Sequence, residues 1–305
     1  MKHRIIDVHS HPSWHGHTPD RLVKNMDEMG IEKTWLLACE TTVDEMNVVP
    51  NYHAVMDPRG LSQPLWMVVE GMQRFPDRFI GGWAPDPRDR YSRAKLKAAV
   101  ALHGIRVYGE LKFRMRFDNQ DAIAMYRLCA ELGLPVLFHL EAPEYRLKQE
   151  CRDVLEWPEW YGGDLSAVDT MCRLCPKTVF IGHGPGFWRE ISPGAERSAK
   201  VYPKGRVKPG GGVPKIMRKQ QNLYADLSGT SGWNSQARDR EHAKRFITEF
   251  QDRILFGRDG FDRRLMDLLE KLDLSDTVLA KVLHGNAERL VRTAPAKAGN
   301  KAKKK

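Results

Sequence analysis

Residues 4–11 read RIIDVHSH, an apolar, β-branched run that closes on two histidines one residue apart. In an extended strand successive side chains point to opposite faces, so His9 and His11 share one side. The same design recurs along the chain. Short apolar runs lie at residues 4–9, 34–39, 78–84, 105–113, 135–140, 178–182, 222–227 and 254–257, each bounded by turn residues. Continuous apolar runs of this length, rich in β-branched and aromatic residues, are the pattern of strands buried on both faces.

Helical periodicity fills the spaces between them. The segments are 19–29, 62–75, 91–102, 121–132, 165–175, 214–220, 238–250 and 261–272, with two closing helices across 274–292. Thr18 is placed to cap the first, and Gly30 to end it. Strict alternation of strand and helix predicts a parallel sheet, and eight repeats predict a closed (β/α)₈ TIM barrel in one domain, residues 1–292. Two connections are long. Residues 40–61 follow strand two and residues 184–213 follow strand six, both from the C-terminal strand ends that form the working face of such a barrel.

Composition narrows the function classes. Of 305 residues, 41% are hydrophobic and 29% charged, which is ordinary for a globular chain that buries a full core. The net charge of +10 invites a nucleic-acid reading, but half of it comes from five lysines in the tail AKAGNKAKKK. Residues 293–305, which contain this stretch, have no apolar face and read as a disordered tail. No nucleic-acid motif accompanies it, so no nucleic-acid partner is expected. The odd cysteine count of five reads as reduced thiols in a cytoplasmic protein, with Cys172 and Cys175 as two thiols on a helix. MKHRIIDVHSH lacks a signal-peptide core, and no apolar stretch is long enough to span a membrane.

The chemistry gathers at strand ends. His139 closes VLFH, His183 closes VFIGH, and Asp259 closes ILFGRD. Polar groups buried at these positions need partners, and a shared cation would satisfy His9, His11, His139, His183 and Asp259 at once. Taken in order, DVHSH, LFHLE, IGHGPG and FGRDG resemble the amidohydrolase superfamily, in the branch of metal-dependent hydrolases and carboxylic-acid decarboxylases. NLYADLSG and HGNAERLV add to that likeness, which covers nearly all of residues 1–292.

The resemblance implies a divalent metal and water activated by it. On it, His9 and His11 match the strand-one ligands, His139 the strand-five ligand and Asp259 the strand-eight carboxylate and proton acceptor. His183 matches a histidine that is either a second-metal ligand or a free acid/base. Such a donor set suits zinc, with manganese or iron as alternatives. Asp7 reads either as support for the ligands or as a cap or ion pair.

Glu110, in YGELKF, has three readings: a carboxylate bridging two metals, a neighbour of a modified Lys112, or half of a structural pair with Lys112. Trp14, Lys112, Trp188, Arg189 and Trp233 are candidates for binding substrate, and aromatics with arginine at the mouth suit a planar anion. Arg258 is expected to point away from the barrel axis, toward a helix. The expected activity is hydrolysis of an amide, ester or lactone in a small molecule. The alternatives are non-oxidative decarboxylation of an aromatic or unsaturated acid, and a silent metal-binding barrel. Homo-oligomerisation stays open.

Overall fold

The computed structural model describes residues 3–40, 62–141, 162–194 and 201–292. Most of the loop expected at 40–61 and the whole basic tail lie outside the described residues. Eight parallel strands run in chain order: β1 (Ile6–Ser10), β2 (Lys33–Leu37), β3 (Phe79–Gly82), β4 (Tyr108–Leu111), β5 (Val136–His139), β6 (Phe180–His183), β7 (Leu223–Asp226) and β8 (Ile254–Leu255). They form one arc of three and one of five. Backbone contacts join the arcs at both seams. Gly82 bridges Val107 in parallel on one side, while Val8 N donates to Phe256 O and Asp259 N to His9 O, each at 3.0 Å, on the other. The architecture is the (β/α)₈ barrel read from the sequence.

Helices alternate with the strands, and their ends follow local chemistry. The first, Pro19–Met29, starts on a proline that supplies its own φ and stops at Gly30, which takes the left-handed conformation. Thr18 sits at its N-cap without bonding through its side chain, a departure from expectation. Elsewhere Asn119 caps Gln120–Leu132 and Asp164 caps Leu165–Leu174. A further helix, Gly229–Ala237, lies where its sequence GTSGWNSQA gave no helical signal. Glycine and serine are weak helix formers, so tertiary packing holds it.

Ile6, Val8, Trp35, Leu37, Val107, Leu137, Ile181 and Leu255 fill the barrel interior. Ala287 and Leu290 of the last helix, Asn286–Arg292, pack onto the same cluster, and Asn286 donates to Ile254 O at 2.8 Å. This plugs the end where the strands begin. The opposite end, at the C-terminal strand tips, is left to carry the polar side chains.

Candidate metal centre

The period of two explains part of the site. Leu137 and Ile181 belong to the interior cluster. His139 and His183, two residues further on, inherit the same inward face at the tips of β5 and β6. In β1 the interior position is Val8, so a regular strand would send His9 outward. The register shifts between Asp7 and Ser10, and His9 enters the barrel mouth. Glu110 enters likewise, beside a shift between Tyr108 and Leu111 of β4.

These side chains converge, all buried but the half-buried Asp259. His9 Nε2 lies 3.9 Å from Glu110 Oε1 and 4.0 Å from Asp259 Oδ1. His11 Nε2 lies 3.5 Å from Glu110 Oε2 and 3.9 Å from Asp259 Oδ1. His183 Nε2 lies 3.9 Å from Glu110 Oε1 and 3.7 Å from Asp259 Oδ2. Among the described residues, three overlapping trios could hold a cation: His9, His183, Asp259; His9, His11, Glu110; and Glu110, His139, His183.

The other ring nitrogens are occupied. His9 Nδ1 donates to Asp226 Oδ2 at 2.7 Å and His11 Nδ1 to Leu37 O at 2.8 Å. His183 Nδ1 meets Ser228 Oγ at 2.9 Å, and that hydroxyl donates on to Asp226 Oδ2 at 2.7 Å. Each bond fixes its ring so that Nε2 faces the centre, the arrangement that orients metal-binding imidazoles. Asp226 therefore anchors two histidines at once. It was legible only as part of NLYADLSG; no spacing rule in the sequence links it to His9.

These donors fit a divalent cation. His9 Nε2 and Asp259 Oδ1 are buried without a hydrogen-bond partner, which is costly unless something positive lies between them. Their 4.0 Å separation is near twice the usual zinc bond to nitrogen or oxygen, about 2.0–2.2 Å. Electrostatics agrees. Burial pushes the His9 imidazole down, but the charges of Asp259, Asp226 and Glu110 outweigh it and raise its pKa to about 10. Without a metal, these carboxylates draw a proton in its place. Burial also opposes ionisation of Glu110, yet His139, Lys112 and His9 hold its carboxyl well below the usual range. Burial lowers the pKa values of His11 and His183, favouring the neutral ligand form.

His139, expected as a ligand, stands in one of these trios with Glu110 and His183. Its Nδ1 meets Glu110 Oε1 at 2.8 Å and its Nε2 meets Glu141 Oε2 at 3.1 Å, so both nitrogens face carboxylates. Glu141 was visible only as the last letter of LFHLE. Asp7 is half of a buried ion pair, its Oδ2 2.7 Å from Arg258 Nε. Its Oδ1 accepts the His9 backbone N–H at 3.1 Å. Arg258 does reach a helix, through Asn25 at 2.7 Å, but it is spent mainly on Asp7.

A cavity of about 610 Å³ opens over the site, lined by Trp14, His15, His139, His183, Tyr202, Asp259, Phe261 and Arg264 among others. Pro185 and Tyr202, from the long connection after β6, lie in its wall. Trp14 is on the cavity, and its indole donates to Asp259 O at 3.1 Å. Asp259 has a φ of +47°, uncommon away from glycine. Gly229 has a φ of +69°, and a Cβ there would stand 3.2 Å from Asp259 Oδ2.

The other expected substrate residues fall elsewhere. Trp188 is 1% exposed and its indole is bonded to Asp226 O, so it packs beneath the site. Arg189 is buried and absent from this lining. Trp233 lines a separate cavity. Lys112 is half-buried and acts on Glu110 and His139 through its charge.

The family model described as amidohydrolase matches residues 6–293. No curated protein sequence matches the chain. Solved structures share the fold. An amidohydrolase from Burkholderia multivorans with bound zinc has a TM-score of 0.60 at 13% identity, covering 96% of this chain and 100% of that one. A dihydroxybenzoic acid decarboxylase from Polaromonas with bound manganese and an inhibitor has a TM-score of 0.56 at 18% identity, covering 97% and 98%. A probable 2-pyrone-4,6-dicarboxylic acid hydrolase from Acinetobacter baumannii has a TM-score of 0.55 at 14% identity, covering 95% and 99%.

Proposed function

Because the chain belongs to the amidohydrolase family, we propose that it is a metal-dependent hydrolase that adds water across an amide, ester or lactone bond of a small molecule. The observation that carries this reading is the placement of Glu110. Its Oε2 faces His11, while its Oε1 faces His9, His139 and His183. One carboxylate between two histidine groups suits a pair of divalent cations, zinc first and manganese or iron as alternatives. His9, His11 and Asp259 would hold one, and His139 and His183 the other, with Glu110 shared. Cations bound there would acidify water and polarise a substrate oxygen.

The chain's own residues supply the rest. Asp259, on the cavity wall, takes a proton from the attacking water and returns it to the leaving nitrogen or oxygen. The hydroxyl goes to the acyl carbon, so the atoms of water are accounted for. Trp14 holds the Asp259 backbone, and Asp226 with Ser228 keeps His9 and His183 turned toward the reaction. Burial of His9, His11, Glu110 and His183 strengthens the interactions between these charges.

A second reading, non-oxidative decarboxylation, draws on the lining. Trp14, Tyr202 and Phe261 beside Arg264 suit a planar aromatic acid. The deciding experiment loads the purified protein with zinc or manganese and offers amides, esters, lactones and hydroxylated aromatic acids in water enriched in heavy oxygen. Label in the product carboxylate supports hydrolysis. Carbon dioxide release without label in the remaining product overturns it in favour of decarboxylation. Turnover of neither class by the metal-loaded protein would leave the silent barrel.

A further inference from the structure

The helix Gly229–Ala237 begins in the wall of the cavity above the metal centre, where Gly229, Thr230 and Ser231 form part of the lining. A Cβ at Gly229 would stand 3.2 Å from Asp259 Oδ2 and 3.5 Å from His183 Cε1, so the helix starts within one side chain's reach of both. The first N–H groups of a helix have no partner inside it, and they carry the positive end of its dipole. A serine at the N-cap ordinarily accepts from one of them. Ser228 does not, because its hydroxyl is engaged with His183 and Asp226.

The donors that this diversion leaves can be followed one by one. Gly229 N donates to Arg258 O at 2.9 Å, and Gly232 N to Ser228 O at 3.2 Å. Between them, the amides of Thr230 and Ser231 have no acceptor among the described residues. Asp259 takes neither, since its carboxylate faces His9, His11 and His183. The Ser231 side chain is a separate sign of a missing ligand. The residue is 6% exposed, yet its hydroxyl makes no hydrogen bond among the described residues and is not sealed from solvent, so it opens on the cavity that Ser231 lines. A polar group so enclosed without a protein partner is unfavourable until a ligand or water meets it. Two adjacent amides and a hydroxyl, at the positive end of a helix, make a donor set for a carboxylate, which accepts through two oxygens.

We propose that Thr230 and Ser231 form a carboxylate subsite beside the metal centre, so that the substrate carries an acid group besides the bond that is cleaved. The proposal rests on the metal-dependent reading above and names the substrate class within it. The acid group orients the molecule from the helix start, and the reacting carbonyl is left to the residues around Glu110 and Asp259.

The test uses probes that anchor on a metal and need no turnover. The monohydroxamates of malonic, succinic and glutaric acid, each beside its primary amide, are titrated calorimetrically into the zinc-loaded protein. At one chain length or more, the acid should bind about tenfold or more tighter than its amide. Ser231→Ala should cut that preference several-fold. Ser231→Asp, whose charge suits a helix start and fills the subsite, should abolish it. Equal affinity of acid and amide at every length would overturn the proposal and leave the metal centre standing. So would an undiminished preference in Ser231→Ala, and its loss in Arg264→Gln would then assign the acid group to that arginine. Binding of no hydroxamate, acid or amide, would refute the metal-centred reading itself and the subsite with it.

Discussion

His9 Nδ1 and Asp226 Oδ2 sit 2.7 Å apart, both side chains fully buried, joined across 217 residues of sequence. The carboxylate also receives the Ser228 hydroxyl that touches His183. Asp226→Ala should therefore release two imidazoles at once. Loss of such an orienting partner costs about 10–100-fold in metal affinity. Competition against a graded chelator measures it, and wild-type retention of metal in a folded variant would contradict the role.

Stoichiometry separates one cation from two. If Glu110 is shared, the purified protein should hold two metals per chain, and His183→Asn and Glu110→Gln should each lose one. With a single cation, His183→Asn should keep it while turnover falls by about a hundredfold or more, the scale of a lost proton-transfer group. Metal counting per chain on these variants decides. Unchanged metal and unchanged turnover in His183→Asn would remove His183 from both schemes.

The His9 pKa of the metal-free protein, raised to about 10, lies above its ordinary value of about 6.5. A protonated His9 stabilises the metal-free fold fully below the lower value, and that contribution fades as pH rises through the upper one. A cation must displace this proton to bind. Metal affinity should thus climb with pH across that window, with proton release on binding near neutral pH. Calorimetry in two buffers of different ionisation heat measures the release, and none at neutral pH would contradict it.

The Asp7–Arg258 pair, 2.7 Å between charged atoms at 0% and 2% side-chain exposure, is a stability element. Asp7→Ala leaves Arg258 charged and buried and should cost about 3–5 kcal/mol in urea unfolding. Asp7→Ala/Arg258→Met removes both charges and should recover much of the loss. Equal destabilisation in the single and double variants would show that the pairing is not the cause.

Much of this molecule is local and therefore readable. Strand length, β-branching and glycine stops are set by near neighbours, and they marked the alternating elements and hence the barrel. Their positions at strand ends carried His139 and His183 from sequence to the mouth, while the period-two reading of His9 and His11 met a register shift in β1. Glu110 stayed ambiguous because its inward aim depends on a register shift between β4 and β5, and registers are settled by pairing across strands. Trp188 and Trp233 looked like mouth residues because both follow strand ends. The turn after β6 and the helix after β7 carry them under and away from the cavity.

What the sequence determined by itself was the alternation of strand and helix and the histidines and aspartate at strand tips, since both follow from side-chain period and chain stiffness over a few residues. Only the tertiary structure decided which nitrogen of each histidine faces the centre, that Asp226 and Ser228 hold them, and that Glu141 answers His139. Those are hydrogen bonds mostly between separate strands, and their geometry exists only once the barrel brings its strand tips together.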